Sequence, residues 1–373
     1  MIDGHRGRGH PRDQSRPKKT GGRTSGWPAN KACPGNEGTP LISRRTFAGA
    51  VLGAPVALPF LARSGFAATP AHTLKLTFAD TQAHPLYAVL NRFAANVNKR
   101  TDGAVEIQVF SIGQLGSGTN IMTGMQTGII DLCAHTSGFI GPLFPRFQVV
   151  DLPFLFPDAR TAERVLDGPI GGQLLDLMPA KGIYGLSYGH WGWRVVSTVE
   201  RKVPEPADIK GLKIRVQPGA IFAAMFRTLS ANPIAIDLTE VYLALSQRTI
   251  EAIETPMISV AAGKHDEVVR TINTTNHVYN VGVLMASKAK LDALPEQARS
   301  AIRAAAQDMT GDWRTTIAAA TDETAARFKA KGLAILPVDQ DAYRKQVEPV
   351  YKQFRDIIGP DLVDAVMKEV GKG

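Results

Sequence analysis

Residues 211–256 decide the fold, and they read GLKIRVQPGAIFAAMFRTLSANPIAIDLTEVYLALSQRTIEAIETP. Alternating apolar side chains over 212–216 predict a short strand, and an apolar stripe over 221–229 predicts the helix after it. Asp237 and Glu240 have the spacing of a capping box that opens a second helix. The remaining elements alternate in the same way, with a strand, a helix and a strand predicted over 234–236, 237–245 and 249–254. Three strands alternating with two helices predict a parallel α/β unit.

Arg215 is the residue of this unit that indicates a function. It lies on a predicted strand between apolar neighbours, and ligands of parallel α/β units bind beside the carboxyl ends of strands. Its guanidinium is a permanent cation whose planar fork matches a carboxylate with two charge-assisted hydrogen bonds. Taken alone, a strand arginine is more often an exposed residue paired to a nearby acid.

Four motifs resemble one known family, the solute-binding proteins of tripartite ATP-independent periplasmic (TRAP) transporters, in their DctP-like branch. The family's KIRV, EVYxALQ and VDGxENP motifs correspond here to KIRV at 213–216, EVYLAL at 240–245 and IEAIETP at 250–256. The segment DLPFLF at 151–156 is similar to a further signature of that family. Outside the N-terminal tail, the resemblance covers nearly the whole chain.

The resemblance implies a two-lobed α/β fold of the periplasmic-binding-protein type with a central ligand cleft. A segment almost free of helix breakers, residues 296–331, predicts a helix of roughly 50 Å that spans both lobes. We expect lobe I to comprise residues 72–191 plus 281–320, and lobe II to comprise residues 192–280 plus 321–373. Such a protein closes its lobes over a ligand.

The same resemblance implies the candidate ligand-binding residues. The family's carboxylate-binding arginine corresponds to Arg215, and a second family arginine corresponds to Arg194. The other candidates supply polar groups or apolar walls around these two: Gln82, His84, Thr136, Ser137, Thr255, Trp191, Trp193 and Leu238. The family commonly has asparagine where this chain has Trp191 and Thr255. This exchange favours a less polar or aromatic carboxylate, unless Trp191 packs into the core.

The charge of the chain argues against nucleic-acid binding. The sequence has 373 residues and a formal net charge of +9, a length suited to two domains and a tail. Residues 1–67 hold 11 basic and 3 acidic residues, which leaves 32 basic and 31 acidic residues in the remainder. Because the body of the chain is nearly neutral, it lacks the basic surface that nucleic acids require.

The N-terminus predicts export to the periplasm. Residues 1–42 are rich in Gly, Pro and basic residues, and we expect a disordered preface. Ser-Arg-Arg-Thr-Phe at 43–47 precedes a 17-residue uncharged run, 46–62. This pattern predicts a twin-arginine signal peptide over 43–67, cleaved near Ala67 or Ala68. A membrane anchor is the alternative, but the run is short and contains two prolines.

Signatures of catalysis and cofactor binding are missing from the sequence. Cys133 is the single cysteine beyond the signal, and its apolar setting indicates a buried residue rather than a nucleophile. The Gly116-Ser-Gly118 loop matches neither nucleotide-binding glycine motif, and the eight histidines lack metal-ligand spacing. We therefore expect no cofactor, no metal and no enzymatic activity.

The expected partners are a small organic acid and, by resemblance, the small and large membrane subunits of a TRAP transporter. We expect the receptor to be a monomer. Two other functions remain open at this point. One is a periplasmic enzyme exported through the twin-arginine route, and the other is a stand-alone ligand sensor.

Overall fold

The computed structural model describes residues 69–372, and strands and helices alternate through this range. The predictions for residues 1–67, namely the preface, the twin-arginine signal and its cleavage site, lie outside the described residues. Ten strands are present within the range: β1 His72–Phe78, β2 Val105–Phe110, β3 Leu132–Thr136, β4 Ile183–Thr198, β5 Lys213–Val216, β6 Asn232–Ala235, β7 Ala252–Pro256, β8 Thr271–Asn273, β9 Tyr279–Ser287 and β10 Ala334–Leu336.

Prolines and glycines set several helix boundaries. The segments 159–176 and 340–358 each form two helices rather than one. Gly168-Pro169 and Pro349 are the breaks, because proline lacks the N–H that would continue the helix. The α-helices of the described range are α1 Leu86–Arg100, α2 Asn120–Gln126, α3 Ser137–Ile140, α4 Ala159–Asp167, α5 Pro169–Asp176, α6 Ala220–Thr228, α7 Leu238–Ser246, α8 Met257–Ala262, α9 Lys288–Asp292, α10 Glu296–Ala330, α11 Gln340–Val347, α12 Pro349–Ile358 and α13 Pro360–Glu369.

The strands form one mixed sheet with two parts. The first part, here the N-sheet, has the order β2-β1-β3-β9 followed by residues 183–193 of β4. The second part, the C-sheet, continues with residues 194–198 of β4 and then β7-β5-β6, while β8 pairs with both β4 and β10. In each part the strands that alternate with helices run parallel, and β4 and β9 run antiparallel to their neighbours in the N-sheet.

Strand β4 belongs to both parts of the sheet. It has 16 residues and is the longest strand of the described range. Its register with β9 shifts between His190 and Trp193, and Gly192 takes a φ of +99° in this irregular stretch. Arg194 is the first residue of β4 that pairs with β7. The strand thus changes partners at one bulge, which re-aims the side chains on either side of it.

The predicted long helix is confirmed as α10, which has 35 residues and is roughly 50 Å long. Near its middle, Trp313 donates from Nε1 to the carbonyl oxygen of His190 on β4 at 2.9 Å. Near its end, Phe328 packs in an apolar cluster with Val195 and Ile272 of the C-sheet. The helix therefore braces both parts of the sheet.

Two local details of the opening stretch differ from the prediction. Asp237 precedes α7, but its side chain accepts no capping hydrogen bond, so the predicted capping box is wrong. Strand β7 continues through Pro256 because that residue still pairs with Arg194 of β4.

Cys133 is buried in β3, as predicted. Within residues 69–372, no helix combines the length and the apolar character needed to cross a membrane.

Candidate functional site

A narrow cavity lies where the N-sheet and the C-sheet meet. Its volume is about 30 Å³, counted as the space open to the centre of a water molecule. Many of the residues that line it end or follow strands of the two sheets. From the N-sheet side come Asp80, His135 and Thr136, and from the C-sheet side come Arg215, Gln217 and Thr255. The carboxyl ends of β1, β3, β5 and β7 therefore converge here, which is the usual binding position in open α/β sheets.

Arg215 presents an unsatisfied cation to this cavity. Its side chain is 2 % exposed, and its Nε donates to the carbonyl oxygen of Ile236 at 2.9 Å. Its Nη2 is buried and has no hydrogen-bond partner in the described part of the chain. Burial lowers the pKa of Arg215 to about 10, so the guanidinium stays protonated at neutral pH. A buried donor without a partner costs about 1–3 kcal/mol, and a ligand carboxylate would supply that partner.

Arg194 also lines the cavity, but an acidic residue neutralises it. Its Nε donates to Glu254 Oε2, and its Nη2 donates to the carbonyl oxygen of Glu254 at 2.5 Å. The guanidinium carbon also lies 5.0 Å from the ring centre of Phe222. Since Glu254 is fully buried and Arg194 is 2 % exposed, the two charges form a desolvated ion pair.

Other groups hold Glu254 in its ionised form. The Nε2 atom of His277 lies 3.4 Å from Glu254 Oε2, and the backbone N–H of Gln217 donates to Oε1 at 3.2 Å. Burial acts to raise the pKa of Glu254, but Arg194 and His277 outweigh it and lower this pKa to about 2. The carboxylate therefore remains charged at neutral and at mildly acidic pH.

Asp80, at the end of β1, is a second buried carboxyl group of the cavity. Ser259 donates to its Oδ2 at 2.7 Å, and the N–H of Thr81 donates to its Oδ1 at 2.8 Å. His84 lies beside it, with 3.8 Å between Nε2 and Oδ2. Burial raises the pKa of Asp80 to about 7 and lowers the pKa of His84 to about 3.

Direct hydrogen bonds join the two sides of the cavity. Besides Ser259 to Asp80, Thr136 donates from Oγ1 to Gln217 Oε1 at 3.1 Å, and Thr81 donates to the carbonyl oxygen of Ala262 at 3.0 Å. Each of these bonds connects the carboxyl end of an N-sheet strand, or the loop after it, to the loop after β5 or to α8, which follows β7. The two sides of the cavity are therefore in direct hydrogen-bonded contact in this structure.

The structure brings together six of the ten candidate residues named from the sequence. Arg194, Arg215, Thr136, Thr255, Trp191 and Leu238 line the cavity. Trp191 also packs in the core, edge-on to Trp313 with 5.4 Å between ring centres, so the two alternatives for this residue are both realised.

The other four candidates lie outside the lining of the cavity. His84 is buried next to Asp80, and Gln82 is exposed. Ser137 donates to Asp151 Oδ1 at 2.5 Å, and Trp193 packs edge-on against Tyr279. A ligand in the cavity as described would not touch them directly.

Sequence reasoning missed several polar residues of the lining: Asp80, His135, Gln217, Asn280 and Ser259. It also missed Glu254 as the partner of Arg194. The first three lie at or just after the carboxyl ends of β1, β3 and β5, and this position was the available signal, because parallel strands collect their carboxyl ends at one edge. Asn280 and Ser259 gave no comparable signal, since they lie near the start of β9 and inside α8.

A larger groove of about 1130 Å³ lies beside α11 and α12. Its charged side chains, Glu205, Lys345, Glu348 and Lys352, are all exposed to solvent. The groove therefore lacks the desolvated charge that would fix a small ligand. Across residues 69–372, no group of three or more His, Cys, Asp or Glu side chains has the arrangement of a metal site.

Comparison with known proteins identifies the family. The model of the bacterial extracellular solute-binding proteins, family 7 (DctP), matches residues 77–356. The 2,3-diketo-L-gulonate-binding periplasmic protein YiaO of Escherichia coli K12 is 30% identical over 303 residues, which are 81% of this chain and 89% of YiaO.

Solved structures agree with this match. The sugar acid binding protein DctPAm from Advenella mimigardefordensis, in complex with galactonate, has a TM-score of 0.79 and 29% identity over 82% of this chain and 99% of that chain. A TRAP periplasmic solute-binding protein from Sulfurospirillum deleyianum with bound succinate has a TM-score of 0.77 and 28% identity over 80% and 99%. The predicted two-lobed α/β fold is confirmed, and the chain belongs to the DctP family of TRAP transporter solute-binding proteins.

Proposed function

We propose that this protein captures a small organic acid in the cavity at Arg215 and delivers it to the membrane subunits of a TRAP transporter. One observation carries the proposal: Arg215 lines the cavity, and its buried Nη2 lacks a hydrogen-bond partner among the described residues. A carboxylate oxygen is the group that best satisfies a desolvated guanidinium. Arg194, Thr136, Thr255, Trp191 and Leu238 would form the walls around the ligand, whereas the candidates Gln82, His84, Ser137 and Trp193 lie outside the lining and would have no direct contact with it.

The ligands of the relatives support this choice. Diketogulonate, galactonate and succinate differ in length, oxidation state and number of hydroxyl groups, but each contains a carboxylate. A single arginine that binds the shared group, surrounded by residues that differ between receptors, accounts for a family with varied ligands.

Closure of the two lobes is the expected mechanical step. The hydrogen bonds from Ser259 to Asp80 and from Thr136 to Gln217 cross the cavity, and a ligand held by Arg215 adds further contacts between the same two sides. A ligand that favours the closed form shifts the population towards it. The closed receptor would then dock as a monomer on the small and large membrane subunits.

Export through the twin-arginine signal at 43–67, with cleavage near Ala67 or Ala68, would place the receptor in the periplasm. The N-terminal sequence of protein recovered from the periplasm tests this proposal. Substitution of Arg44 and Arg45 by lysine should keep the precursor in the cytoplasm. A periplasmic, processed product from that variant would contradict twin-arginine export.

The binding proposal is tested by thermal unfolding of the refolded mature chain with a panel of organic acids, since a ligand of the folded form raises the melting temperature. We expect stabilisation by at least one acid, and its loss in Arg215→Ala. Arg227→Ala, on the exposed face of α6, is the matched control and should behave as the wild type. Stabilisation that survives in Arg215→Ala would contradict the assignment of the site, and chemical conversion of the bound acid would contradict a pure receptor.

A further inference from the structure

We propose that the ligand is a monocarboxylate with hydroxyl or carbonyl oxygens along its carbon chain, and that Trp191, Gln217 and His135 donate hydrogen bonds to those oxygens. This inference rests on the proposed function, because it concerns the same cavity. It assigns ligand-selecting roles to Gln217 and His135, which the sequence did not single out, and a polar role to Trp191.

The charges around the cavity accommodate one carboxylate. Of the two arginines in the lining, Arg194 is already paired with Glu254, whereas Arg215 has a free nitrogen among the described residues. Asp80 adds an acidic group to the same lining. A second ligand carboxylate would be buried beside Asp80 without an available cation, and a buried charge without a partner is strongly unfavourable.

The indole N–H of Trp191 is the first unpaired donor. Trp191 is 1 % exposed, and its Nε1 is buried without a partner in residues 69–372. A Cβ placed at Gly282 would lie 2.4 Å from Cζ3 and 2.8 Å from Cε3 of this ring. Those two atoms form the edge of the indole away from Nε1, so the N–H faces away from β9 while the residue lines the cavity.

His135 provides a second donor, and its tautomer follows from its neighbours. Its Nδ1 accepts a hydrogen bond from the backbone N–H of Thr136 at 2.9 Å, so Nδ1 carries no proton. The proton of the neutral ring must then be on Nε2, which is buried and unpaired in the described structure. Burial lowers the pKa of His135 to about 3, in agreement with a neutral ring.

Gln217 provides the third donor through its side-chain amide. Its Oε1 accepts from Thr136 Oγ1 at 3.1 Å, which leaves Nε2 as the buried amide group without a partner in the described range. Asn280 contributes the opposite kind of group, an unpaired buried Oδ1 that can accept from a ligand hydroxyl. Three neutral donors and one acceptor therefore surround the space next to Arg215.

This inventory reverses the expectation of an apolar or aromatic acid. An alkyl or aryl chain in the cavity would keep these donors away from water without giving them acceptors, and each unmet bond weakens binding by about tenfold. Hydroxyl and carbonyl oxygens provide the missing acceptors. The substitution of tryptophan for the family's usual asparagine thus replaces one polar donor with another.

Matched acids test the two parts of the inference separately. Four-carbon acids with and without hydroxyl groups, and with one or two carboxylates, are butyrate, erythronate, succinate and tartrate. The corresponding six-carbon acids are hexanoate, gluconate or galactonate, adipate and glucarate. Isothermal titration of the mature chain should give the tightest binding for a hydroxylated monocarboxylate. We expect its alkyl and dicarboxylate counterparts to bind at least about a hundredfold more weakly.

A conservative variant tests the role of Trp191. Trp191→Phe keeps an aromatic ring against Trp313 and removes the N–H donor. It should bind the preferred hydroxylated acid about tenfold more weakly while its weak affinity for the alkyl acid is unchanged. Trp193→Phe, outside the lining, is the matched control and should leave both affinities unchanged. Equal losses for both acids in Trp191→Phe would show a packing role and overturn the assignment.

The outcomes separate this inference from the proposed function. Tightest binding of a dicarboxylate or of an alkyl monocarboxylate, lost in Arg215→Ala, would overturn the inference and leave the proposed function intact. Failure of every acid to bind a folded chain would overturn both. Tightest binding of a hydroxylated or oxo monocarboxylate that is sensitive to Trp191→Phe would support both.

Discussion

Arg194 and Glu254 form an ion pair in which both side chains are enclosed, with 2 % and 0 % of their surfaces exposed. The pair connects adjacent strands, β4 and β7, at the wall of the cavity. Because Glu254 cancels the charge of Arg194, Arg194 forms part of the cavity wall without adding a free positive charge. The pair explains how two arginines can border one small cavity without requiring a ligand with two negative charges.

Removal of one member of this pair should destabilise the fold. We expect Glu254→Gln to lower the free energy of unfolding by about 3–5 kcal/mol, because it leaves Arg194 buried without a counter-charge. Urea denaturation followed by circular dichroism measures the change. The matched control is Glu200→Gln, which breaks the exposed pair with Arg248 and should cost less than about 1 kcal/mol. Equal losses in the two variants would contradict a desolvated pair.

The shape of the Arg215 side chain should matter as well as its charge. Arg215→Lys retains a cation but loses the planar fork and the bond from Nε to the carbonyl oxygen of Ile236. We expect ligand affinity to fall about tenfold in Arg215→Lys and about a hundredfold in Arg215→Ala. Isothermal titration with the best acid of the panel provides both values. A lysine variant with wild-type affinity would show that charge alone is sufficient.

The buried carboxyl of Asp80 predicts a specific pH dependence. Burial raises its pKa in the folded chain to about 7, from an ordinary value of 3.8 that applies to the unfolded chain. Its contribution to stability is therefore fully present below pH 3.8 and is lost as the pH rises through 7. Asp80→Asn removes this titration, so the stability of the variant relative to the wild type should rise between about pH 4 and 7, by up to about 4 kcal/mol.

Denaturation of the ligand-free proteins at several pH values measures this trend for Asp80→Asn. Asp176→Asn, at an exposed position of α5, controls for the loss of one carboxylate. A stability difference between Asp80→Asn and the wild type that stays constant from about pH 4 to pH 8 would show that the pKa of the Asp80 carboxyl is not shifted.

A crossing hydrogen bond should contribute to ligand retention. Ser259→Ala removes the donor to Asp80 Oδ2 and thus one of the bonds that join the two sides of the cavity. We expect a faster ligand dissociation rate and an affinity lower by about two- to tenfold. Stopped-flow measurement of dissociation tests the rate. Ser300→Ala removes an exposed hydroxyl that donates to Glu296 and should not change it.

Gly282 on β9 is predicted to be intolerant of a side chain. A Cβ there would lie 2.4 Å from the Trp191 ring and 2.7 Å from the Trp313 ring, and neither ring can move without disturbing the core. We expect Gly282→Ala to cost at least about 1–3 kcal/mol of stability. Gly172→Ala in α5 meets no atom within 4 Å and should be neutral or slightly stabilising. Thermal unfolding distinguishes the two, and equal melting temperatures would contradict the packing.

The sequence predicted those parts of the fold that depend on local pattern. The alternation of strands and helices in 211–256, the long helix α10 and the buried Cys133 follow from periodicity, the absence of breakers and apolar surroundings. The position of Arg215 at the cavity also agrees with the sequence, since ligands of parallel α/β units bind beside the carboxyl ends of strands; its role in binding stays a prediction.

The remainder depends on contacts between distant residues, which periodicity does not encode. The neutralisation of Arg194 required the pairing of β4 with β7, across 60 residues of sequence. The length of β4 has no clear signal in the sequence, because its glycines and aromatic residues break the alternating pattern where the strand exchanges partners. The capping role assigned to Asp237 was wrong because its carboxylate packs against a distant loop instead of the first turn of α7. A Cβ built on Gly118 would lie 2.4 Å from Asp237 Oδ2.

The continuity of β4 has a consequence for how the molecule can come apart. A cut within Ile183–Thr198 would divide the one strand that pairs with β9 in the N-sheet and with β7 and β8 in the C-sheet. The N-sheet and the C-sheet share β4, so each part of the sheet loses hydrogen bonds when the other part unfolds. We therefore expect heat or urea to unfold the mature chain in one cooperative transition, although the fold is two-lobed.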